Sequence, residues 1–119
     1  MRKSSGLDGW GVDDTNAPQL PKSDKLVRDR IPEIIRSNGR TPKTHKASAA
    51  EYKRRLAQKL VEEALEYSQS QDPEELADLL EVVHSLCSVH KTTFGKLDKI
   101  RAAKAKERGS FSKRIVLDN

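Results

Sequence analysis

The stretch from Glu62 to Glu81 reads EEALEYSQSQDPEELADLLE, and the interpretation of the whole chain starts from it. It carries eight acidic residues and neither Lys nor Arg. Its flanks have the opposite charge, with eleven basic and three acidic residues in 25–61 and nine basic and three acidic residues in 82–119. An acidic segment between cationic segments suits a site that binds a divalent cation and receives a polyanionic substrate.

Two long helices are predicted around this segment. The capping-box pattern SAAE at 48–51 predicts a helix over 49–70. The dipeptide DP at 72–73 predicts an N-cap and the first helical position of a second helix, which should run to about residue 90. Because the break between them is short, we expect the two helices to be antiparallel neighbours.

Carboxylates fall on the surfaces through which these helices should pack. At about 100° per residue, Glu63 projects between Leu56 and Tyr67 on the apolar face of the first helix. Glu75 falls near the middle of the apolar arc of the second helix. The carboxylates on or beside the two faces are Glu62, Glu63, Glu66, Glu75 and Asp78.

The residues alone leave two explanations of these carboxylates open. The plain one is a solvated helix face with structural salt bridges, in which Lys59 or an arginine pairs with the acids. The other is a metal site, because the acids at 63/66 and 75/78 place two oxygen ligands one turn apart on each helix. Such all-oxygen ligands suit Mg²⁺ or Mn²⁺. An unpaired carboxylate on a packed face is costly, so one of the two must apply.

A short helix is expected within residues 25–36, because Pro32 is tolerated in a first helical turn. Asp29 is its expected cap, and Asn38-Gly39 should end it. The arginines of this segment are either solvated or bind phosphate oxygens. The two concerned are Arg28 and Arg30.

A third helix should follow Thr93, with Thr93 as its cap and Gly109 at its end. We expect it to span residues 94–108 and to pack through a narrow apolar face. The tail over 109–117 is expected to be extended and to dock on the helices. The apolar residues assigned to these contacts are Phe94, Leu97, Ile100, Phe111, Ile115 and Leu117.

Composition favours one small, polar domain, since 34% of the 119 residues are hydrophobic and 34% are charged. Residues 1–24 are expected to be a flexible extension and residues 25–119 the helical domain. The single cysteine, Cys87, excludes an internal disulfide and is assigned to the core. No apolar run is long enough for a membrane span, so we expect a cytoplasmic protein without membrane contact.

The formal net charge of +5 raises the question of nucleic acid. Its binding is considered unlikely, because one Trp, two Tyr and two Phe cannot interleave the basic residues with stacking surfaces. Two helices and a short third one leave apolar stripes uncovered. We therefore expect an all-α, compact antiparallel bundle completed by oligomerisation, with at least a dimer and sites near the subunit interfaces.

Four segments together resemble the MazG-type, all-α nucleoside triphosphate pyrophosphohydrolases. The similarity is to their small house-cleaning branch, which is related to phosphoribosyl-ATP pyrophosphohydrolase. The order of the two carboxylate motifs, between basic terminal motifs, is more specific than either motif alone. The segments are KLVRDRIPEII (25–35), KLVEEALE (59–66), EELADLLEV (74–82) and KERGSFSKRI (106–115).

The resemblance implies an oligomeric helical enzyme that uses Mg²⁺ or Mn²⁺. The residues that match the family's metal ligands are Glu63, Glu66, Glu75 and Asp78. Glu62 matches a position tied to metal binding or water activation, so Glu62 and Glu63 are the candidate catalytic residues. The candidates for substrate phosphates are Arg28, Arg30, Lys106, Arg108, Lys113 and Arg114.

The expected reaction is hydrolysis of a nucleoside triphosphate, one with a non-canonical base or sugar, to the monophosphate and pyrophosphate. Two alternatives are kept. One is phosphoribosyl-ATP hydrolysis in histidine synthesis, and the other is a non-catalytic helical binding or assembly module.

Overall fold

The computed structural model describes residues 24–118, and within that range it contains four α-helices and no strand. The all-α prediction is therefore confirmed for these residues. The expected flexible extension lies almost entirely outside them. The helices are α1 (Ile31–Ser37), α2 (Ala49–Ser70), α3 (Glu74–Val89) and α4 (Phe94–Arg108).

Hydrogen bonds and backbone conformation define both ends of α2 and the start of α3. The Ser48 side chain accepts a hydrogen bond from the Glu51 backbone N–H, at 3.2 Å. Gln71 ends α2 in the left-handed conformation, with φ 59°. Pro73, not Asp72, occupies the N-cap position of α3, so that prediction is wrong by one residue, although the Asp72 carboxylate accepts a hydrogen bond from the Glu74 N–H at 3.0 Å. The predicted bounds of α2 are confirmed, and α3 starts one residue later than predicted.

The core lies where α2 packs against α3, and α4 contacts α3 on the other side. Leu56 from α2 and Val82 and Cys87 from α3 are buried. Cys87 is thus a core residue, as predicted. Glu63 is buried with them, as the helical step from Leu56 indicated.

The helix expected within residues 25–36 begins later, at Ile31, and residues 25–30 are not helical. Pro32 does lie in the first turn. Arg30, not Asp29, occupies the N-cap position, and no side chain caps the helix, so that prediction is wrong. The physical reason is that residues 25–28 make ion pairs to α2 and α3 instead of closing a helical turn.

The third predicted helix has the expected bounds and the expected Thr93 cap, which accepts a hydrogen bond from the Lys96 N–H. Its apolar face is not covered as predicted, because Leu97 and Ile100 are 36% and 55% exposed. The tail does not dock either, since Phe111 is 97% exposed and Ile115 and Leu117 are also exposed. The prediction that the tail docks is therefore wrong for the part of the chain that the structure describes.

Among residues 24–118, none of the helices combines the length and the apolar character that crossing a membrane requires.

Candidate functional site

Three of the predicted metal ligands lie together at one end of the α2–α3 pair. Glu63 and Glu66 are one turn apart on α2, and Glu75 lies in the first turn of α3. Each offers a carboxylate oxygen, and these oxygens all lie within 4.8 Å of one another. The two helices therefore bring together an all-oxygen group, with two residues from α2 and one from α3.

Glu63 is the most deeply buried member of this group, with 8% of its side chain exposed. Its Oε1 atom has no hydrogen-bond partner, although buried polar atoms in proteins are nearly always paired. Its Oε2 atom lies 3.7 Å from Lys59 Nζ, which is a loose ion pair. One buried oxygen beside two further carboxylates thus remains uncompensated, and hard oxygen donors of this kind fit a divalent cation.

The electrostatics agree with a site that lacks positive charge. Burial raises the pKa of Glu63, the Glu66 carboxylate raises it further, and Lys59 opposes both. Burial also raises the pKa of Glu75, with the charge of Glu66 and a hydrogen bond to it adding to the effect. A bound cation reverses these influences, because it favours the ionised form of every ligand.

The fourth predicted ligand, Asp78, lies outside this group of three. Its Oδ1 atom accepts a hydrogen bond at 2.8 Å from Nη2 of Arg28, which precedes α1. Nothing in the sequence signals that pair, because the two residues are fifty positions apart. Asp78 is half-buried and lines the same cleft as Glu63, so its role as a ligand stays a prediction.

Glu62 is held by two lysines. Its Oε2 atom lies 3.1 Å from Lys25 Nζ, and its Oε1 atom lies 3.6 Å from Lys59 Nζ. The sequence analysis named Lys59 as a partner of the acids but missed Lys25, which comes from the segment before α1. Lys59 is thus shared by the carboxylates of Glu62 and Glu63.

A cleft of about 240 Å³ opens between α2, α3 and the segment before α1. Glu63, Asp78, Arg28 and Lys59 form its charged end. Its remaining walls combine apolar side chains with the polar side chains of Asp29, Glu81 and Ser85. The sequence analysis did not predict this cleft, because its third wall is a non-helical segment whose position depends on long-range ion pairs.

Of the six phosphate-binding candidates, the structure places Arg28 in the cleft wall. Arg30 is exposed and pairs with Glu33 of α1 at 3.1 Å. The other four do not line the cleft of this chain, and all are exposed at the end of α4 or in the tail. They are Lys106, Arg108, Lys113 and Arg114.

Comparison with known proteins adds sequence similarity but no function. No family model matches the chain, and no solved structure matches it. The chain is similar to a protein of Mycolicibacterium smegmatis that is described as uncharacterised, with 55% identity over 42 residues. The match covers 35% of this chain and 43% of that protein, so the chain spans less than half of its relative's length.

Proposed function

We propose that the protein hydrolyses a nucleoside triphosphate to the monophosphate and pyrophosphate, with Mg²⁺ or Mn²⁺ held by Glu63, Glu66 and Glu75. The observation that carries this proposal is the buried, unpaired Glu63 oxygen inside a three-carboxylate group. Of that group, Glu63 lines a cleft whose wall also contains Arg28 and Lys59. A polyanion with an organic part suits such a cleft. The resemblance of the motifs to MazG-type pyrophosphohydrolases supports the same reaction.

A cation explains the group better than salt bridges alone. Two carboxylates about 4 Å apart repel by about 4 kcal/mol at an effective dielectric of about 20. Lys59 is the cation nearest to Glu63, and it is shared with Glu62. One shared lysine leaves the charges of three carboxylates largely uncompensated.

The metal, when bound, would neutralise phosphate charge and lower the pKa of a coordinated water. Glu62 would accept a proton from the attacking water, and its ion pairs with Lys25 and Lys59 would hold the carboxylate in position for this role. The water oxygen would form a new bond to the α phosphorus as the bond from that phosphorus to the α–β bridging oxygen breaks, and the bridging oxygen leaves with pyrophosphate. Pyrophosphate leaves, and the monophosphate retains the base and sugar.

Arg28 would bind a phosphate group of the substrate. Its guanidinium is 57% exposed while paired with Asp78, so phosphate oxygens can reach it from solvent. Exchange of Asp78 for phosphate would free the Asp78 carboxylate to join the metal ligands. This exchange reconciles the observed ion pair with the ligand role that the resemblance implies for Asp78.

The ion pairs at Glu62 and Asp78 favour a second candidate, a non-catalytic helical module with a structural salt-bridge network. Phosphoribosyl-ATP hydrolysis is a variant of the first proposal with a different substrate. A binding module would release no pyrophosphate from any substrate, and a phosphoribosyl-ATP hydrolase would release it from phosphoribosyl-ATP.

Pyrophosphate release from canonical and modified nucleoside triphosphates tests the proposal, with Mg²⁺ or Mn²⁺ present. Phosphoribosyl-ATP is included in the panel. We expect metal-dependent release that Glu63→Gln reduces by at least about a hundredfold, because it removes a ligand charge. Glu107→Gln, an exposed change of the same type on α4, should release pyrophosphate at the wild-type rate. No release from any compound of the panel would contradict the proposal and favour the binding module.

A further inference from the structure

The cleft follows one stripe of side chains on each of two helices. On α2, Glu63, Lys59, Leu56 and Tyr52 line it at intervals of three or four residues. Residues at such intervals share one face of a helix. From Glu63 to Tyr52 the stripe extends about 16 Å along the axis at about 1.5 Å per residue. That length accommodates more than the phosphate groups of a nucleotide.

A second stripe of side chains on α3 faces the first one and also extends away from the Glu63 end of the cleft. Asp78, Glu81, Val82 and Ser85 line the cleft, again three or four residues apart. Because α2 and α3 pack side by side in a hairpin, the charged ends of the two stripes coincide at Glu63 and Asp78. Their other ends line the part of the same cleft that is farther from Glu63 and Asp78, which is called the distal compartment.

Apolar side chains line part of this distal compartment. Leu56 and Val82 are 3% and 7% exposed and form its floor, while Leu26 and Val27 close it from the segment before α1. The Tyr52 ring borders it and is partly exposed. Apolar walls next to a charged end are typical of a subsite that binds the organic part of a ligand.

Three polar groups in the distal compartment lack partners. Within residues 24–118, the side chains of Tyr52, Glu81 and Ser85 make no hydrogen bond or ion pair to another residue. Glu81 and Ser85 are one turn apart on α3, so the carboxylate and the hydroxyl lie on the same wall. A few unpaired polar groups in an apolar cleft are the usual determinants of ligand orientation.

We propose that the distal compartment binds the nucleobase, with Glu81 and Ser85 as specificity-determining residues that hydrogen-bond to its edge. Leu56 and Val82 contact one side of the base, and the Tyr52 ring offers a stacking surface. This inference rests on the proposed function, which orients the nucleotide with its phosphates at the carboxylate group and its base in the distal compartment.

The chemistry of Glu81 selects among bases. A carboxylate accepts hydrogen bonds and donates none. Its two oxygens match two adjacent N–H donors, which a guanine-type edge presents at N1 and the 2-amino group. Uracil and thymine present carbonyl oxygens on both sides of a single N–H, and these oxygens repel the carboxylate. The expected order of affinity is therefore guanine first, then adenine and cytosine, with uracil last.

Binding of phosphate-free nucleosides without metal tests this inference separately from catalysis. The experiment measures Kd for guanosine, adenosine, cytidine and uridine by ligand-observed NMR on the full chain. We expect guanosine to bind most tightly. Glu81→Gln should raise its Kd by at least about tenfold, the usual effect of losing one charge-assisted hydrogen bond. Because a glutamine amide both donates and accepts, the variant should shift its preference toward adenosine.

Matched control variants separate the proposed hydrogen bonds to the edge of the base from effects of substitution on folding. Glu107→Gln on α4 and Ser88→Ala, a neighbour of Ser85 outside the cleft wall, should leave the guanosine Kd within about twofold of wild type. Ser85→Ala should weaken guanosine binding with little effect on folding. It thus keeps the test decisive if Glu81→Gln is poorly folded.

The outcomes of the two assays are distinguishable. Equal affinity for the four nucleosides, saturation by none of them, or an unchanged preference in Glu81→Gln and Ser85→Ala would overturn the base subsite. Metal-dependent pyrophosphate release would then still leave the hydrolase proposal intact. Conversely, selective guanosine binding by a protein that releases no pyrophosphate would support the subsite and contradict the hydrolysis.

Discussion

Glu63 places a carboxylate where a packed helix pair normally has an apolar side chain. Its neighbours one turn away on α2 are Lys59 on one side and Glu66 on the other, and its Oε1 atom is unpaired. Burying such a group costs free energy in the metal-free protein, and the raised pKa of Glu63 is the same cost expressed as protonation. Glu63 should therefore lower the free energy of unfolding of the metal-free protein, and a cation bound at the proposed metal site would offset this loss.

This cost predicts the effect of Glu63→Gln on stability without metal. The neutral amide removes the desolvation of the charge and the repulsion from Glu66, so unfolding should require about 1 kcal/mol more than in wild type at neutral pH. For a domain of this size, that free energy corresponds to a rise in Tm of about 4–8 °C. Calorimetry in the presence of a chelator measures it. A lower Tm for Glu63→Gln than for wild type would contradict the account.

The pH dependence of the metal-free protein has a defined sign. Glu63 and Glu75 have raised pKa values, so the folded state binds more protons than the unfolded state above the ordinary pKa of 4.5. The free energy of unfolding should therefore fall as pH rises from about 4.5 through the folded pKa values. Chemical denaturation at a series of pH values, with a chelator present, follows this. The decline should be smaller in Glu63→Gln, and an equal decline in both proteins would contradict the assignment.

For single residues, the position of a side chain on its own helix could be predicted from the sequence, but its ion-pair partners from distant segments could not. The burial of Glu63 follows from its helical position relative to Leu56. The arginine that holds Asp78 and the lysine that holds Glu62 come from the segment before α1, and no periodicity relates that segment to either helix. Side chains so distant in sequence are placed by tertiary structure alone.

The α2–α3 hairpin is the element that positions the whole site. Its contact surface is small, since within residues 24–118 the buried apolar side chains are Leu56, Val82 and Cys87. Every ligand candidate and both walls of the cleft belong to this hairpin or touch it. Loss of one contact should therefore affect stability and metal binding together.

Leu56→Ala tests this dependence. Removing a side chain that is 3% exposed leaves a cavity and should lower the free energy of unfolding by about 2–5 kcal/mol. The matched control is Leu80→Ala on α3, where 45% exposure should limit the loss to about 1 kcal/mol in a monomer. Urea denaturation measures both. Equal losses in the two variants at low protein concentration would show that the hairpin is not the core.

Two of the four predicted N-caps, Ser48 and Thr93, are confirmed, and the other two, Asp29 and Asp72, each lie one residue from the N-cap position. Ser48, Asp72 and Thr93 all accept hydrogen bonds from the first turns of their helices. The N-cap of the short helix within residues 25–36 was wrongly predicted at Asp29, because the helical pattern does not show that Lys25 and Arg28 pair with α2 and α3. The tail was wrongly predicted to dock, since its apolar residues do not identify the surface that receives them.

The whole molecule leaves much apolar surface uncovered in a single chain. Leu76 and Leu80 of α3 are about half exposed, and Ile100 of α4 and Phe111 of the tail are more so. Exposed apolar groups on this scale mark surfaces that associate. Oligomerisation, which the sequence analysis expected, would cover them and would place the basic tail of one subunit near another subunit.

Light scattering after size exclusion checks this expectation. We expect a mass at least twice the chain mass of 13.4 kDa. Leu80→Glu should reduce the mass to that of one chain, because it places a charge on the apolar surface, while Glu107→Gln should leave it unchanged. A wild-type protein that elutes with the mass of one chain would contradict the expectation.

The most direct test of the central claim is the melting temperature of wild type and Glu63→Gln as the Mg²⁺ or Mn²⁺ concentration rises from zero. A cation bound by the folded protein stabilises it by about 2.7 kcal/mol at a hundredfold excess over Kd. We predict that the wild-type Tm rises with metal concentration and that the Glu63→Gln Tm stays nearly constant. A constant wild-type Tm, or an equal rise in both proteins, would contradict metal binding by the carboxylate group.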